Sequence, residues 1–266
     1  MTNRHNNSKL LLLSAAVLAT TILSGCARDK MTTGSVSRSA DRNYANMSAG
    51  QLSSAADSVG QAYSKNPNDK ATALRYGNVL QMEGKTDQSL AVMRKLAIAL
   101  PTDRDVLAAY GKALAASGQL QPALDAVRRA QTPEYPDWKL FSAEGAILDQ
   151  MGDTRGARTL YRKALDLKPN EPSVTSNLGM SYVLEGDLKT AETYMRTAAQ
   201  TPGADSRVRQ NLALVVGLQG RFQEAEQIAS QELSPDQAQA NVAYLRTMLA
   251  QQNAWSQIKA DEKKTP

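Results

Sequence analysis

The sequence predicts an all-α fold, an α-solenoid in which helix pairs stack into a right-handed superhelix closed by a C-terminal capping helix. Three observations predict it. Glycine recurs every 34 residues, at Gly84, Gly118, Gly152, Gly186 and Gly220. With glycine at about 7% of residues, four further hits at a fixed period arise by chance with a frequency of roughly 2 × 10⁻⁵. Two more series of small residues run in step: Gly77, Gly111, Gly145 and Gly179, continued by Ala213, and Ala123, Ala157, Ala191 and Ala225, preceded by Ser89. Aromatic residues make up 5% of the chain while alanine and leucine dominate, a composition that suits close-packed helices better than a β sandwich.

Residues 1–25 open with a basic stretch containing Arg4, Lys9 and no acid, followed by the uncharged run LLLSAAVLATTIL. That is the layout of a secretory signal. The run is too short, and too closely followed by Arg28, Asp29 and Lys30, for a membrane-spanning helix. Leu23-Ser24-Gly25-Cys26 at its end resembles the lipobox of bacterial lipoproteins. The resemblance implies cleavage after Gly25, small residues at Ser24 and Gly25 to fit the peptidase, and a covalent lipid on Cys26. Several acyl chains, at about 0.8 kcal/mol for each buried methylene, hold a protein on a membrane almost permanently. Ala27 follows Cys26 where inner-membrane retention calls for aspartate. The same resemblance therefore favours the periplasmic face of the outer membrane of a Gram-negative bacterium.

Cleavage removes His5, the single histidine, and the lipid occupies Cys26, the single cysteine. Cys/His metal sites, a Ser-His-Asp relay and cysteine nucleophiles are thereby excluded, and no catalytic residue, metal or cofactor is expected beyond the lipid. The 31 basic and 26 acidic residues are mixed along the chain. No dense basic block stands beside aromatic residues, so a nucleic-acid partner is not expected.

Residues 26–46 are polar and nearly free of aliphatic side chains, which predicts a flexible tether reaching about 25 Å. Residues 47–69 form a half-repeat ending at Pro67, and residues 70–239 hold five repeats. The turn glycines end each first helix in the left-handed conformation. The Gly77 and Ala123 series sit where the two helices of a pair approach, and a larger side chain there would hold them apart. Pro67, Pro101 and Pro169 end second helices, because proline disfavours a helical residue before it. QTPEYPDW, with Pro133 and Pro136, predicts an irregular junction, and the repeat ending near Pro235 is degenerate. Residues 240–258 place Val242, Leu245, Met248, Leu249, Trp255 and Ile258 at helical spacing. They read as the capping helix, with Trp255 as a packing anchor, and 259–266 as a disordered tail.

Gly84-Lys85-Thr86 spells the end of a phosphate-binding loop. That motif needs a glycine where Val79 stands, and a strand before it. The repeat accounts for Gly84 and Gly77, so no nucleotide is expected.

The 34-residue period resembles the tetratricopeptide repeat (TPR). The match is best at Phe141, Gly145, Leu148, Gly152, Ala157, Tyr161, Ala164 and Pro169, then at Leu178, Gly179, Tyr182, Gly186, Ala191, Met195 and Ala198. A concave groove lined by first helices is implied, with Asn78, Met82, Lys112, Lys139, Ser142, Asp149, Ser176, Met180 and Leu214 as candidates to contact a peptide. Asn78 and Lys139 match part of the set with which chaperone-binding members hold a terminal carboxylate. Leu74, Ala109 and Ala143 stand where the other members belong, so that ligand is not expected.

Residues 195–255, carrying AAQTPGADSRVRQNLALVVGLQGRFQEAEQIASQEL and NVAYLRTMLAQQNAW, resemble the TadD family, the TPR lipoproteins of the tight-adherence (Tad/Flp) pilus machine. The resemblance implies a non-enzymatic scaffold for assembling a thin adhesive pilus. Its partners would be proteins of the secretion machinery, above all the outer-membrane secretin complex. TPR lipoproteins that serve type IV pilus secretins, outer-membrane barrel insertion or cell-wall enzymes share the architecture and are the alternatives.

Overall fold

The structure, a computed structural model, describes residues 44, 47 and 49–262, with side chains to residue 252. The signal with Leu23, Ser24 and Gly25, the lipidation candidate Cys26, nearly all of the tether, the side chains of Trp255 and Ile258, and residues 263–266 lie outside the described residues. The remainder is helical: α1 Ala49–Lys65, α2 Lys70–Met82, α3 Thr86–Ala99, α4 Arg104–Ala116, α5 Leu120–Ala130, α6 Trp138–Gln150, α7 Thr154–Leu167, α8 Pro172–Glu185, α9 Leu188–Gln200, α10 Ser206–Leu218, α11 Phe222–Ala229 and α12 Pro235–Glu262. These helices fall into two compact units divided between Pro169 and Asn170. The N-terminal unit holds α1 and the hairpins α2–α3, α4–α5 and α6–α7. The C-terminal unit holds α8–α9, α10–α11 and α12.

Every hairpin turns in the same way. At the third, Gly152 takes φ +88° and the next N–H, from Asp153, donates to the Leu148 carbonyl at 2.9 Å. The same bond joins Lys85 to Leu80, Gln119 to Leu114, Asp187 to Tyr182 and Arg221 to Val216. All five turn glycines have φ between 76° and 88°, so the period reports a left-handed helix stop that L side chains adopt only with strain.

The first helices also begin alike. Asp69, Asp103, Asp137, Glu171 and Asp205 stand 34 apart and occupy the N-cap positions. Asp69 accepts from the Thr72 N–H at 2.8 Å, and Asp205 from the Val208 N–H at 3.0 Å. Asp103 accepts from Asp105 and Val106, and Asp137 from Lys139. Such caps contribute about 1 kcal/mol each. Glu171 makes no side-chain cap, and Pro172 at the first helical position removes one N–H that would need a partner.

Within a pair, a large side chain on the second helix fills a notch on the first. Gly77 faces Met93, Gly111 faces Val127, Gly145 faces Tyr161 and Gly179 faces Met195. A Cβ added to these glycines would lie 2.5, 2.6, 2.7 and 3.0 Å from the facing side chain. The filling residues also recur every 34 positions. Beside them the backbones come close, because Ala123, Ala157 and Ala191 are fully buried and bring their carbonyls to 3.1–3.2 Å of the same added Cβ atoms. In the first pair Ser89 replaces alanine, and its buried hydroxyl donates to the Gly77 carbonyl at 2.7 Å. The fifth pair reverses the sizes. Ala213 stands in the notch position and Ala229 in the filling position, and both join Ala238 of α12 in one buried cluster.

Helix ends follow the prolines. Leu100 and Lys168, before Pro101 and Pro169, leave helical geometry at φ −129° and −136° and close α3 and α7. QTPEYPDW is irregular as expected, with an isolated bridge between Thr132 and Tyr135. The last helix departs from expectation: it begins at Pro235, not at 240, and continues through Glu262, into the stretch expected to be a tail. Ser234 and Gln237 explain the start. The Gln237 N–H donates to Ser234 Oγ, and the Ser234 N–H donates to Gln237 Oε1 at 3.2 Å, a reciprocal capping box followed by Pro235. Ala238, Val242 and Leu245 are the buried face of this helix, and Leu245 Cδ2 occupies the space a Cβ on Gly217 would need.

If notch and filler are matched in volume, Gly111→Ala and Val127→Ala each destabilise the chain by about 1–3 kcal/mol. The double variant recreates the Ala213/Ala229 combination, and it should cost at least about 0.5 kcal/mol less than the sum of the singles. Urea unfolding of the three variants measures this coupling.

Candidate interaction site on the N-terminal unit

The starts of α4 and α6 and the neighbouring start of α2 enclose a cavity of about 370 Å³. The helix caps build it. Asp103, which caps α4, also accepts a hydrogen bond from Lys70 Nζ of α2 at 2.7 Å, and Asp105 Oδ2 lies 3.0 Å from the same ammonium. Burial opposes the charge on Lys70, but the bonds to Asp103 and Asp105 outweigh it and raise the ammonium pKa. Burial likewise opposes the Asp103 carboxylate, and the Lys70 bond and the Val106 N–H together hold its pKa below the usual value. This lysine is kept protonated, the opposite of what amine nucleophiles need.

Between Asp103 and Asp105 at the start of α4, Arg104 Nε donates to the Ala130 carbonyl at 2.8 Å and Nη2 to the Tyr135 carbonyl at 2.7 Å. Its guanidinium lies 6.0 Å from the Tyr135 ring centroid, and Tyr135 is 70% exposed. Lys112 and Lys139 also line the cavity, with Lys139 Nζ 5.6 Å from the Trp138 ring centroid. Ala108, Leu140 and Ala143 supply apolar surface, and Asp137 caps α6 at the edge. The lining is mixed polar and apolar, suited to polypeptide contact. Among the described residues no group of three or more His, Cys, Asp or Glu side chains is placed to hold a metal, and no helix is long and apolar enough to cross a membrane.

Of the nine groove candidates, Lys112 and Lys139 meet in this cavity. Asn78 is half-buried on α2 and does not line it. Met180 and Leu214 are half-buried in the C-terminal unit. The other four do not face an open groove. Met82 packs against Leu52 and Ala56 of α1, which covers the first pair. Ser142 is 5% exposed. Asp149 accepts a hydrogen bond from the buried Tyr161 hydroxyl at 2.9 Å, joining α6 to α7. Burial, then the Asp149 charge and the hydrogen bond itself, push the Tyr161 phenol well above its ordinary pKa. Ser176 accepts from Asn211 Nδ2 at 3.1 Å and contacts Met195 Sδ, tying α8 to α9 and α10.

The residues that sequence reasoning missed are Lys70, Asp103, Arg104, Asp105, Asp137 and Tyr135. The acidic series at 69, 103, 137, 171 and 205 was the available signal for the caps. Nothing local in the sequence marks Lys70, whose partners lie 33 and 35 positions away.

A separate ionic cluster belongs to the C-terminal unit. Glu192 of α9 accepts from Arg221, Gln219 and Arg196. Burial raises its pKa, but these three donors outweigh burial and hold it at about 2. A carboxylate lowered in the folded state stabilises above its unfolded pKa, 4.5, and that contribution is lost as pH falls toward about 2. Glu192→Gln should therefore cost about 1 kcal/mol at neutral pH, where the network is partly solvent-screened. The gap from the unchanged chain should close as pH is lowered from 4.5 toward about 2, as read by thermal melts across that range.

Residues 143–206 match the tetratricopeptide repeat family model. No curated protein matches the sequence. Among solved structures, the chain is similar to PilW, described as a widely conserved type IV pilus biogenesis factor, with 17% identity, a TM-score of 0.57, and coverage of 92% of this chain and 99% of that one. It is also similar to a thermophilic TPR protein, TTC0263, of Thermus thermophilus, with 20% identity, a TM-score of 0.57, and coverage of 66% and 97%. A tetratricopeptide repeat protein from Parabacteroides merdae shares 18% identity at a TM-score of 0.55, with coverage of 81% and 86%. At these identities the likeness is one of fold, and the described helices have the tetratricopeptide-repeat fold.

Proposed function

We propose that the chain is a non-enzymatic TPR lipoprotein, anchored through Cys26 to the periplasmic face of the outer membrane, that holds a protein partner during assembly of a Tad/Flp pilus. The observation that carries the scaffold role is the cavity at the starts of α2, α4 and α6, lined by Lys112 and Lys139 on neighbouring first helices. Leu23-Ser24-Gly25-Cys26 supports the anchor, and the TadD-like stretch 195–255 supports the Tad pilus. The secretin complex is the partner that best fits an outer-membrane anchor. The tether would let the folded body stand off the lipid and meet it. No nucleotide, metal or nucleic acid enters this role.

A second reading keeps the scaffold and changes the machine. PilW, named as a type IV pilus biogenesis factor, is matched over 99% of its length, which favours a type IV pilus client over barrel insertion or cell-wall enzymes.

Deletion of the gene should abolish Flp pili, and Cys26→Ser should leave an unacylated precursor and strongly reduce piliation while the helical domain still folds. Electron microscopy of pili and membrane fractionation check both outcomes. Normal piliation in the deletion strain removes the Tad role; normal piliation in Cys26→Ser alone removes the anchor from the mechanism.

A further inference from the structure

We propose that the outward face of the second helices in the N-terminal unit is a docking surface for an anionic lipid bilayer. This rests on the anchor reading, since a lipid on Cys26 is what brings a bilayer within reach. It adds that the folded unit itself, and not the acyl chains alone, touches the headgroups.

Cations recur on this face at the repeat period. Directly after the fillers Met93, Val127 and Tyr161 come the basic pairs Arg94-Lys95, Arg128-Arg129 and Arg162-Lys163. Each filler points into the notch of its first helix, and a rotation of about 100° per residue turns the next two side chains away from it. All six are exposed. In the C-terminal unit the series lapses: Thr197 follows Arg196, and Arg196 is bound by Glu192 and Glu224.

The balance of charge follows the same division. Helices α3 and α5 each carry two basic residues and one aspartate, and α7 carries four and one. The N-caps Lys85 and Asp153 offset each other, as do Glu134 and Lys168 in the turns after α5 and α7. The first helices α2, α4 and α6 with their N-caps hold five basic and six acidic residues, so they carry no such excess. Arg128 pairs with Glu144 of α6, and Arg129 donates to the Pro101 carbonyl, but pairs made inside the unit leave its sum unchanged. Residues 49–169 carry sixteen basic and thirteen acidic residues, whereas residues 170–262 carry seven and eleven. The positive excess therefore belongs to one unit, and to its second helices.

Exposed apolar side chains accompany the cations. Ile98, Tyr135 and Leu167 are 76%, 70% and 44% exposed, and they lie at or just beyond the ends of α3, α5 and α7. Each follows a basic pair by three to six residues. Met151, the other large apolar side chain so exposed among the described residues, stands in the turn before α7, at the opposite end of its pair. Basic side chains meet lipid phosphates, and apolar ones gain by leaving water beneath them, a combination that a soluble polyanion would use only in part. The tether decides the occupant. Residues 26–46 join Cys26 to this unit and reach about 25 Å, so the basic unit is the one kept beside the bilayer.

Fluorescence of the mature lipidated chain in vesicles tests this. Acylation takes the Cys26 thiol, so Ile98→Cys supplies a single free thiol for a nitrobenzoxadiazole label, and Met151→Cys supplies the control. The vesicles are phosphatidylcholine with or without phosphatidylglycerol, and nitroxide-bearing acyl chains quench a label that enters the bilayer. With phosphatidylglycerol, quenching at 98 should exceed quenching at 151 at least about twofold, and added salt or pure phosphatidylcholine should remove most of the difference. Arg94→Gln with Lys95→Gln, and separately Arg162→Gln with Lys163→Gln, should each lower quenching at 98 by about half. Circular dichroism of these variants should match the unchanged chain, as expected for exposed side chains. Equal quenching at both sites, or quenching indifferent to lipid charge or to both pairs of substitutions, overturns the proposal. So does a label that soluble polyglutamate shifts while the nitroxide lipids leave it unquenched, because the face then takes an acidic polypeptide. Flotation of the same vesicles separates the two levels. A chain that floats but keeps residue 98 in water sinks the surface contact and leaves the anchor standing, whereas a chain that fails to float removes the anchor and this proposal with it.

Discussion

Two helices pack closely only where neither carries a side chain that fills the gap between them. In this chain that constraint is met by one arrangement used again and again. A glycine on the first helix makes a notch, a larger residue on the second enters it, and an alanine lets the second backbone draw near. Tyr161 seated in the Gly145 notch shows how much depends on it. The same ring carries the hydroxyl that donates to buried Asp149, so one side chain sets both the approach and the polar lock between α6 and α7. Few aromatics are needed: methionine, valine and tyrosine serve as fillers, and alanine, leucine and valine make up most of the other buried apolar residues.

The site inherits its geometry from this packing. Hairpins that turn at the same glycine bring successive first helices to the same end of each unit, so their capping residues become neighbours. In the N-terminal unit that places Asp103 beside Lys70 and sets Arg104, Lys112 and Lys139 around one cavity. Residues whose first duty is to begin a helix thereby shape the kind of surface such a scaffold offers: charged and apolar side chains presented together by neighbouring helices. The C-terminal unit spends its charges differently. Glu192, Arg196, Arg221 and Glu224 bind one another across α9 and the α10–α11 turn, and act within the fold.

Much of this was legible in the residues. Gly152 and its counterparts marked the turns, Gly145 and Ala157 the close approach, and Pro101 and Pro169 the ends of second helices. These signals are local or strictly periodic, and each has one mechanical cause. The groove candidates were less legible, because spacing along a helix gives a face and not what covers it. Met82 is covered by α1, Asp149 is taken by Tyr161, and Ser176 by Asn211, all contacts made by another helix. The start of α12 was written in Ser234 and Gln237, a capping box hidden behind the expectation that the array decays near Pro235. Tyr135 was illegible for a similar reason: the prolines around it signal irregularity, while the turn is held by the Thr132 bridge and by a bond from Arg104, 31 positions away.

Thermal unfolding of Gly145→Leu tests the central constraint most directly. A Cβ added there would lie 2.7 Å from Tyr161 Cε1 and 3.1 Å from the Ala157 carbonyl oxygen, which leaves no room for a larger group. The account predicts a loss of about 2–3 kcal/mol and a melting temperature lower by roughly 5 °C or more. A melting temperature equal to that of the unchanged chain would contradict it.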